Sequence, residues 1–165
     1  MILYFSATGN SEYVARRIAA ETGDIAVSIT DCYKKQIFSF DEKCKTLGIV
    51  SPTYSWGLPV IVIEFLQRLD LSHKPDYIFF IATYGTTPGQ AGRFADNILA
   101  PKGLPLSTKF SVKMPDTWTP IFDLSNKEKV QRINNYAELE IDHIIEQIKN
   151  LVVGDFMKNK LPYPI

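Results

Sequence analysis

An excess of charge of either sign, a cysteine cluster and a long apolar run are all missing from this 165-residue chain. Eighteen Lys plus Arg balance eighteen Asp plus Glu, so the formal net charge is zero. No overall positive field exists to neutralise phosphates, which argues against a nucleic-acid binder. An acidic disordered tail is equally absent. The two cysteines, Cys32 and Cys44, form no CxxC and supply no zinc or iron–sulfur ligand set. Their scarcity points to a reducing compartment in which the thiols are incidental. No apolar stretch approaches the roughly 18 residues that a membrane span needs. The longest candidate, residues 58–69, is broken by Pro59, Glu64, Gln67 and Arg68. Met1 to Ser6 has no basic lead-in and reads as a first core strand, not a signal peptide. These absences give the expectation of a cytoplasmic protein.

What is present suits one domain over residues 1–165. A chain near this length buries roughly 70% of the surface that its unfolded form exposes. The hydrophobic pattern alternates strands with helices. Ile2 to Phe5 predicts a strand and residues 11–22 a helix, with Val14, Ala15, Ile18 and Ala19 on one face and Gly23 as its stop. Ile25, Val27 and Ile29 alternate as a second strand, and 30–45 holds at most one short helix. Residues 46–50 make a third strand and 59–69 a helix, with Pro59 in the first turn, where a missing N–H costs nothing. The run YIFFIA at 77–82 is continuous, as in a strand covered on both faces. A helix over 88–99, a strand within 106–114 and a long helix over 126–151 complete the series. Five strands alternating with helices predict a three-layer, doubly wound α/β fold around a parallel sheet. Ligands of such sheets sit beyond the carboxyl ends of the strands.

Three loops fall at that edge. The first, Ser6-Ala7-Thr8-Gly9-Asn10-Ser11, opens a helix with three hydroxyls, an amide and a glycine. A helix N-terminus presents unpaired N–H groups and the positive end of a dipole. With no Lys or Arg, the loop lacks what a nucleoside triphosphate needs and suits a single phosphate monoester. The same residues are also ordinary capping residues, so by itself the loop reads equally as a capped helix start. The second loop, Ser51-Pro52-Thr53-Tyr54-Ser55-Trp56-Gly57-Leu58-Pro59, and the third, Thr83-Tyr84-Gly85-Thr86-Thr87-Pro88-Gly89, bring aromatics and glycines to the same edge. Either is a plain turn in isolation. Together the three loops suit a flat ligand with a phosphate tail.

These residues resemble the flavodoxins and flavodoxin-like FMN proteins. Residues 6–11 look like their [ST]-x-T-G-[NT]-[ST] phosphate loop, 51–57 like their second loop and 83–85 like their third. TYGTTPG and Met114-Pro115 are similar to the flavodoxin-like half of ferredoxin-fused flavoproteins. Those continue into a cysteine-rich iron–sulfur module, which these 165 residues do not include. The resemblance implies strand order 2-1-3-4-5 and noncovalent FMN. It implies that Ser6, Thr8, Gly9, Asn10 and Ser11 hold the phosphate. Thr53, Tyr54, Ser55, Trp56 and Gly57 would flank one side of the isoalloxazine, and Thr83, Tyr84 and Gly85 the other. In the family a second-loop peptide turns over on reduction so that its carbonyl meets flavin N5; here that is Ser55–Trp56 or Trp56–Gly57.

The function so implied is one- or two-electron transfer between redox partner proteins, such as a ferredoxin or a reductase, with no nucleic acid or membrane involved. No side chain is assigned as a catalytic acid or base, and none as a metal ligand. The alternatives are an FMN-dependent NAD(P)H:quinone-type oxidoreductase of the same fold and a flavin-free binding module. Many flavodoxins are acidic, whereas this third loop has no acid between Thr83 and Gly92. Like charges resist further negative charge on the ring, so full reduction is expected to be easier here than in an acidic flavodoxin. Asp116-Thr117-Trp118 either covers the flavin or is a structural loop. His73 and His143 have no partner constellation and read as solvated surface. Arg16 and Arg17 read as solvated and paired with acids, with the option that one lends charge to the phosphate. Phe38, Phe40, Phe110 and Phe122 read as core.

Overall fold

The computed structural model describes residues 1–116, 125–158 and 160. In chain order the elements are β1 (Ile2–Tyr4), α1 (Asn10–Thr22), β2 (Ala26–Ser28), α2 (Ile29–Lys34), β3 (Ser39–Phe40), β4 (Thr46–Pro52), α3 (Val60–Arg68), β5 (Asp70–Leu71), β6 (Tyr77–Tyr84), α4 (Ala91–Leu99), β7 (Thr108–Lys113), α5 (Lys127–Lys149) and β8 (Gly154–Asp155). Alternation of apolar side chains across each strand builds two cores. Leu3, Ile49, Phe80 and Ala82 face Val62, Phe65 and Leu66 of α3 and Ala95 and Leu99 of α4. Ile2, Tyr4, Val50, Phe79 and Ile81 face Val14 and Ile18 of α1 and Ile141 and Ile144 of α5. All eight residues of β6 are buried, as its continuous apolar run requires. Complete burial of Phe65, Phe79, Phe80 and Phe110 contributes about 1.5–3 kcal/mol each.

The sheet runs β2-β1-β4-β6-β7-β8, every pairing parallel. Its first five strands have the expected 2-1-3-4-5 order. The sixth, β8, was not foreseen. Two residues long, it shows neither alternation nor an apolar run, and the edge of β7 supplies its pairing through Gly154 N–H to Ser107 O and Phe156 N–H to Lys109 O. Phe156 then stacks on Phe110, with ring centroids 5.7 Å apart. A separate two-stranded sheet, β3–β5, is equally short.

Other boundaries shift for local reasons. Ile29 leaves the second strand and starts α2, because the Ser28 hydroxyl caps that helix by accepting from Asp31 N–H. The helix expected from residue 88 begins at Ala91, since Gly89 sits at φ +52° and Gln90 N–H turns away to Trp56 O. Among the described residues no helix is long and apolar enough to cross a membrane. Phe38 and Phe110 are core and Phe40 packs against it; Phe122 lies outside the described residues. His73 and His143 are exposed.

Candidate functional site

The loops after β1, β4 and β6 converge, with the start of the loop after β7, around one cleft of about 780 Å³. That lies inside the range of about 300–1,000 Å³ usual for small-molecule and cofactor sites. Its floor at the α1 end is Ser6, Ala7, Thr8, Asn10 and Ser11. Gly9 is the helix N-cap at φ +102° and, as a glycine, brings no capping side chain of its own. The cap-type residues are used otherwise. The Ser6 hydroxyl accepts from Gly9 N–H at 3.1 Å, and the Asn10 amide donates to Pro115 O at 3.2 Å. Ser11 Oγ and Thr83 Oγ1 meet at 2.7 Å in the protein interior.

The hydroxyl of Ser6 keeps its own proton to donate, and Asn10 keeps a second N–H. Together with the dipole of α1, this donor set fits an acceptor-only phosphoryl group. Arg16 and Arg17 do not line the cleft. Arg16 pairs with Glu12, and Arg17 with Glu138 and Asp142.

The second loop contributes Pro52, Thr53, Tyr54, Ser55 and Trp56. Tyr54 and Gly57 exchange both backbone bonds, Tyr54 N–H to Gly57 O at 3.1 Å and Gly57 N–H to Tyr54 O at 2.9 Å. Ser55 and Trp56 between them lie at φ +47° and +63°. Two left-handed residues closing a two-residue connection make a type I′ turn. Asn and Gly are the usual occupants; a Trp there is strained, the kind of outlier that collects at ligand clamps. The Trp56 side chain is 64% exposed. Tyr54 packs edge-on against Phe5, with centroids 6.3 Å apart, and burial pushes its phenol pKa up.

The third loop contributes Thr83, Tyr84, Gly85, Thr86 and Thr87. It is tied to the second at three points. Thr53 N–H donates to Thr83 O, Thr53 Oγ1 donates to Pro88 O, and Gln90 N–H donates to Trp56 O at 2.9 Å. Gly89 is required by that last approach, since a Cβ on it would lie 2.2 Å from Trp56 O.

Eleven of the thirteen residues singled out in the sequence therefore line the cleft. Gly9 and Gly57 do not. Gly9 begins the helix, and Gly57 closes the turn against the Phe94 ring. Sequence reasoning missed Ala7, Pro52, Thr86 and Thr87 as lining residues, along with Pro115, while Asp116, read there as either covering the flavin or structural, does line the cleft. The first four sit inside the loops already recognised. The last two sit beyond β7, which ends at the same sheet edge; that topology was the available signal. Asp116 also alters the charge picture. A Cβ on Gly85 would lie 2.1 Å from Asp116 Oδ2, so a carboxylate rests against a third loop that has no acid of its own. Thr117 and Trp118 lie outside the described residues.

No curated protein matches this chain in sequence. Several solved structures share its fold. One is the rubredoxin oxygen:oxidoreductase of the anaerobe Desulfovibrio gigas, at 15% identity, TM-score 0.52, 86% of this chain and 35% of that one. Another is the metal-soaked Flv1 flavodiiron core of Synechocystis sp. PCC6803, at 17% identity, TM-score 0.54, 89% of this chain and 36% of that one. A third is a short-chain flavodoxin associated with a non-canonical PDU bacterial microcompartment, at 17% identity, TM-score 0.51, 86% of this chain and 95% of that one. The chain thus spans about a third of the length of the first two. At these identities the likeness is one of fold. Residues 1–143 match the family model described as flavodoxin domain, and the chain belongs to that family.

Proposed function

We propose that this chain binds FMN noncovalently in the cleft and carries electrons between redox proteins. The observation that carries the reading is the α1 N-terminus: a helix start with glycine at its cap, ringed by neutral donors and opening into the same cleft as Tyr54 and Trp56. Ser6, Thr8, Asn10 and Ser11, with Gly9 shaping the loop, would hold the phosphate. Thr53, Tyr54, Ser55 and Trp56, closed by Gly57, would bound one side of the ring, and Tyr84 and Gly85 of the third loop the other. The flavin, when bound, supplies the redox chemistry; the protein sets its orientation and potential.

The turn geometry supports one choice of moving peptide. Trp56 O is held by Gln90 N–H, whereas turning the Ser55–Trp56 peptide over leaves that bond in place. The turn then passes from type I′ to type II′, in which only the first central residue keeps a positive φ. Trp56 would lose its left-handed strain, and Ser55, the smaller residue, would take the glycine-favouring first position of the new turn.

Stepwise reduction of the FMN-loaded protein tests the role. Accumulation of a one-electron state, with no direct consumption of NADPH, is the carrier's behaviour. Rapid bleaching of the flavin by NADPH, with turnover on a quinone, would replace the carrier by the reductase. A colourless protein that takes up no added FMN would remove both.

A further inference from the structure

We propose that Thr83 is a positioning residue for the phosphate grip, acting through Ser11, and not a wall of the ring site. The proposal rests on the FMN reading above. Ser11 and Thr83 belong to different loops, yet their hydroxyls meet at 2.7 Å and the two residues are only 1% and 3% exposed. Each hydroxyl has one proton to give, and either could donate to the other.

A bound phosphoryl group removes that ambiguity. Its oxygens accept and do not donate once it is ionised, so a Ser11 hydroxyl that serves it must spend its proton on it. Thr83 must then donate to Ser11 Oγ. The chain of donation runs in one direction, Thr83 to Ser11 to phosphate, and each bond polarises the next. In the interior, where Ser11 has little water to fall back on, an unmet oxygen is costly. Thr83 itself is held by the sheet: its carbonyl accepts from Thr53 N–H, and it pairs with Pro52 and Val112 across its neighbours. The rigid β6 end therefore fixes the rotamer of a side chain on the first turn of α1. This links the phosphate loop to the strand beneath the third loop without any charged group.

The test compares FMN with riboflavin, which lacks the phosphate, by fluorescence titration of the apoprotein. Thr83→Val, nearly isosteric, should weaken FMN about tenfold and leave riboflavin within twofold, and Thr83→Ser should restore FMN affinity. In a Ser11→Ala background, Thr83→Val should cost FMN nothing further, because the relay is already cut. Thr83→Ala replaces the valine variant if that one does not fold. Equal weakening of FMN and riboflavin overturns the proposal and makes Thr83 a ring-site residue. No change for either ligand, or full additivity with Ser11→Ala, also overturns it. If the unaltered protein binds neither flavin, the FMN reading falls, and this proposal with it.

Discussion

Gly85 and Asp116 share one volume: a Cβ on Gly85 would lie 2.1 Å from Oδ2 and 2.4 Å from Cγ of Asp116. The absent side chain of one residue is the space that holds the carboxylate of the other. Gly85→Ala is therefore expected to expel Asp116 or distort the third loop, at a cost of about 1–3 kcal/mol. Thermal unfolding should show the loss, and Asp116→Gly in the same chain, which also removes the Cβ that would stand 2.5 Å away, should recover most of it. A Gly85→Ala protein as stable as the original would contradict the packing.

Asp116 also governs the expectation about reduction. A carboxylate lining the cleft opposes each electron added to a bound flavin, because like charges repel. Asp116→Asn should raise the potential of the second electron. Redox titration in dilute buffer and again in high salt would check it. An unchanged potential would mean that the loop is electrically neutral in effect, as its own sequence suggests.

The Trp56 carbonyl depends on a missing side chain in the neighbouring loop. Gly89→Ala puts a methyl within 2.2 Å of Trp56 O and forces alanine to φ +52°. The expected cost is about 1–3 kcal/mol, together with weaker binding of FMN. Thermal unfolding and flavin titration of the same variant measure both. Gly57→Ala should be milder, because its Cβ would stand 3.3 Å from the Phe94 ring instead of inside backbone.

Burial raises the Tyr54 phenol pKa. A group raised on folding stabilises the native state below its unfolded value, about 10 for tyrosine. That contribution is lost as pH climbs through the higher folded value. The tyrosinate absorbance difference between the original protein and Tyr54→Phe should therefore titrate above the ordinary value. Bound FMN, by covering the ring further, should move it higher. A midpoint at the ordinary value would mean that the contact with Phe5 does not hold water off the phenol of the 45%-exposed Tyr54.

Both covering layers were legible in the sequence because they follow from periodicity, whereas the sheet order came from the resemblance of the three loops to a known family. Leu3 against Ile2 and Tyr4, or Phe80 against Phe79 and Ile81, sort to opposite faces by alternation alone. What was hidden depends on partners. Gly154–Asp155 is a strand only because β7 has an edge to offer. The start of α4 moves to Ala91 because Gln90 N–H bonds to Trp56, a contact that joins two loops. The three site loops were readable from their small and aromatic residues. The placement of Asp116 against Gly85, and of Ser11 against Thr83, needed the fold to close.

The whole account turns on whether neutral donors at the start of α1 hold a phosphate. Titrating the apoprotein with FMN and with riboflavin, beside the double variant Thr8→Asp, Asn10→Asp, measures this directly. FMN should bind the original protein about a hundredfold more tightly than riboflavin, and the double variant should abolish the difference while riboflavin affinity changes little. Equal affinities for the two flavins, or FMN binding that survives both substitutions, would contradict it.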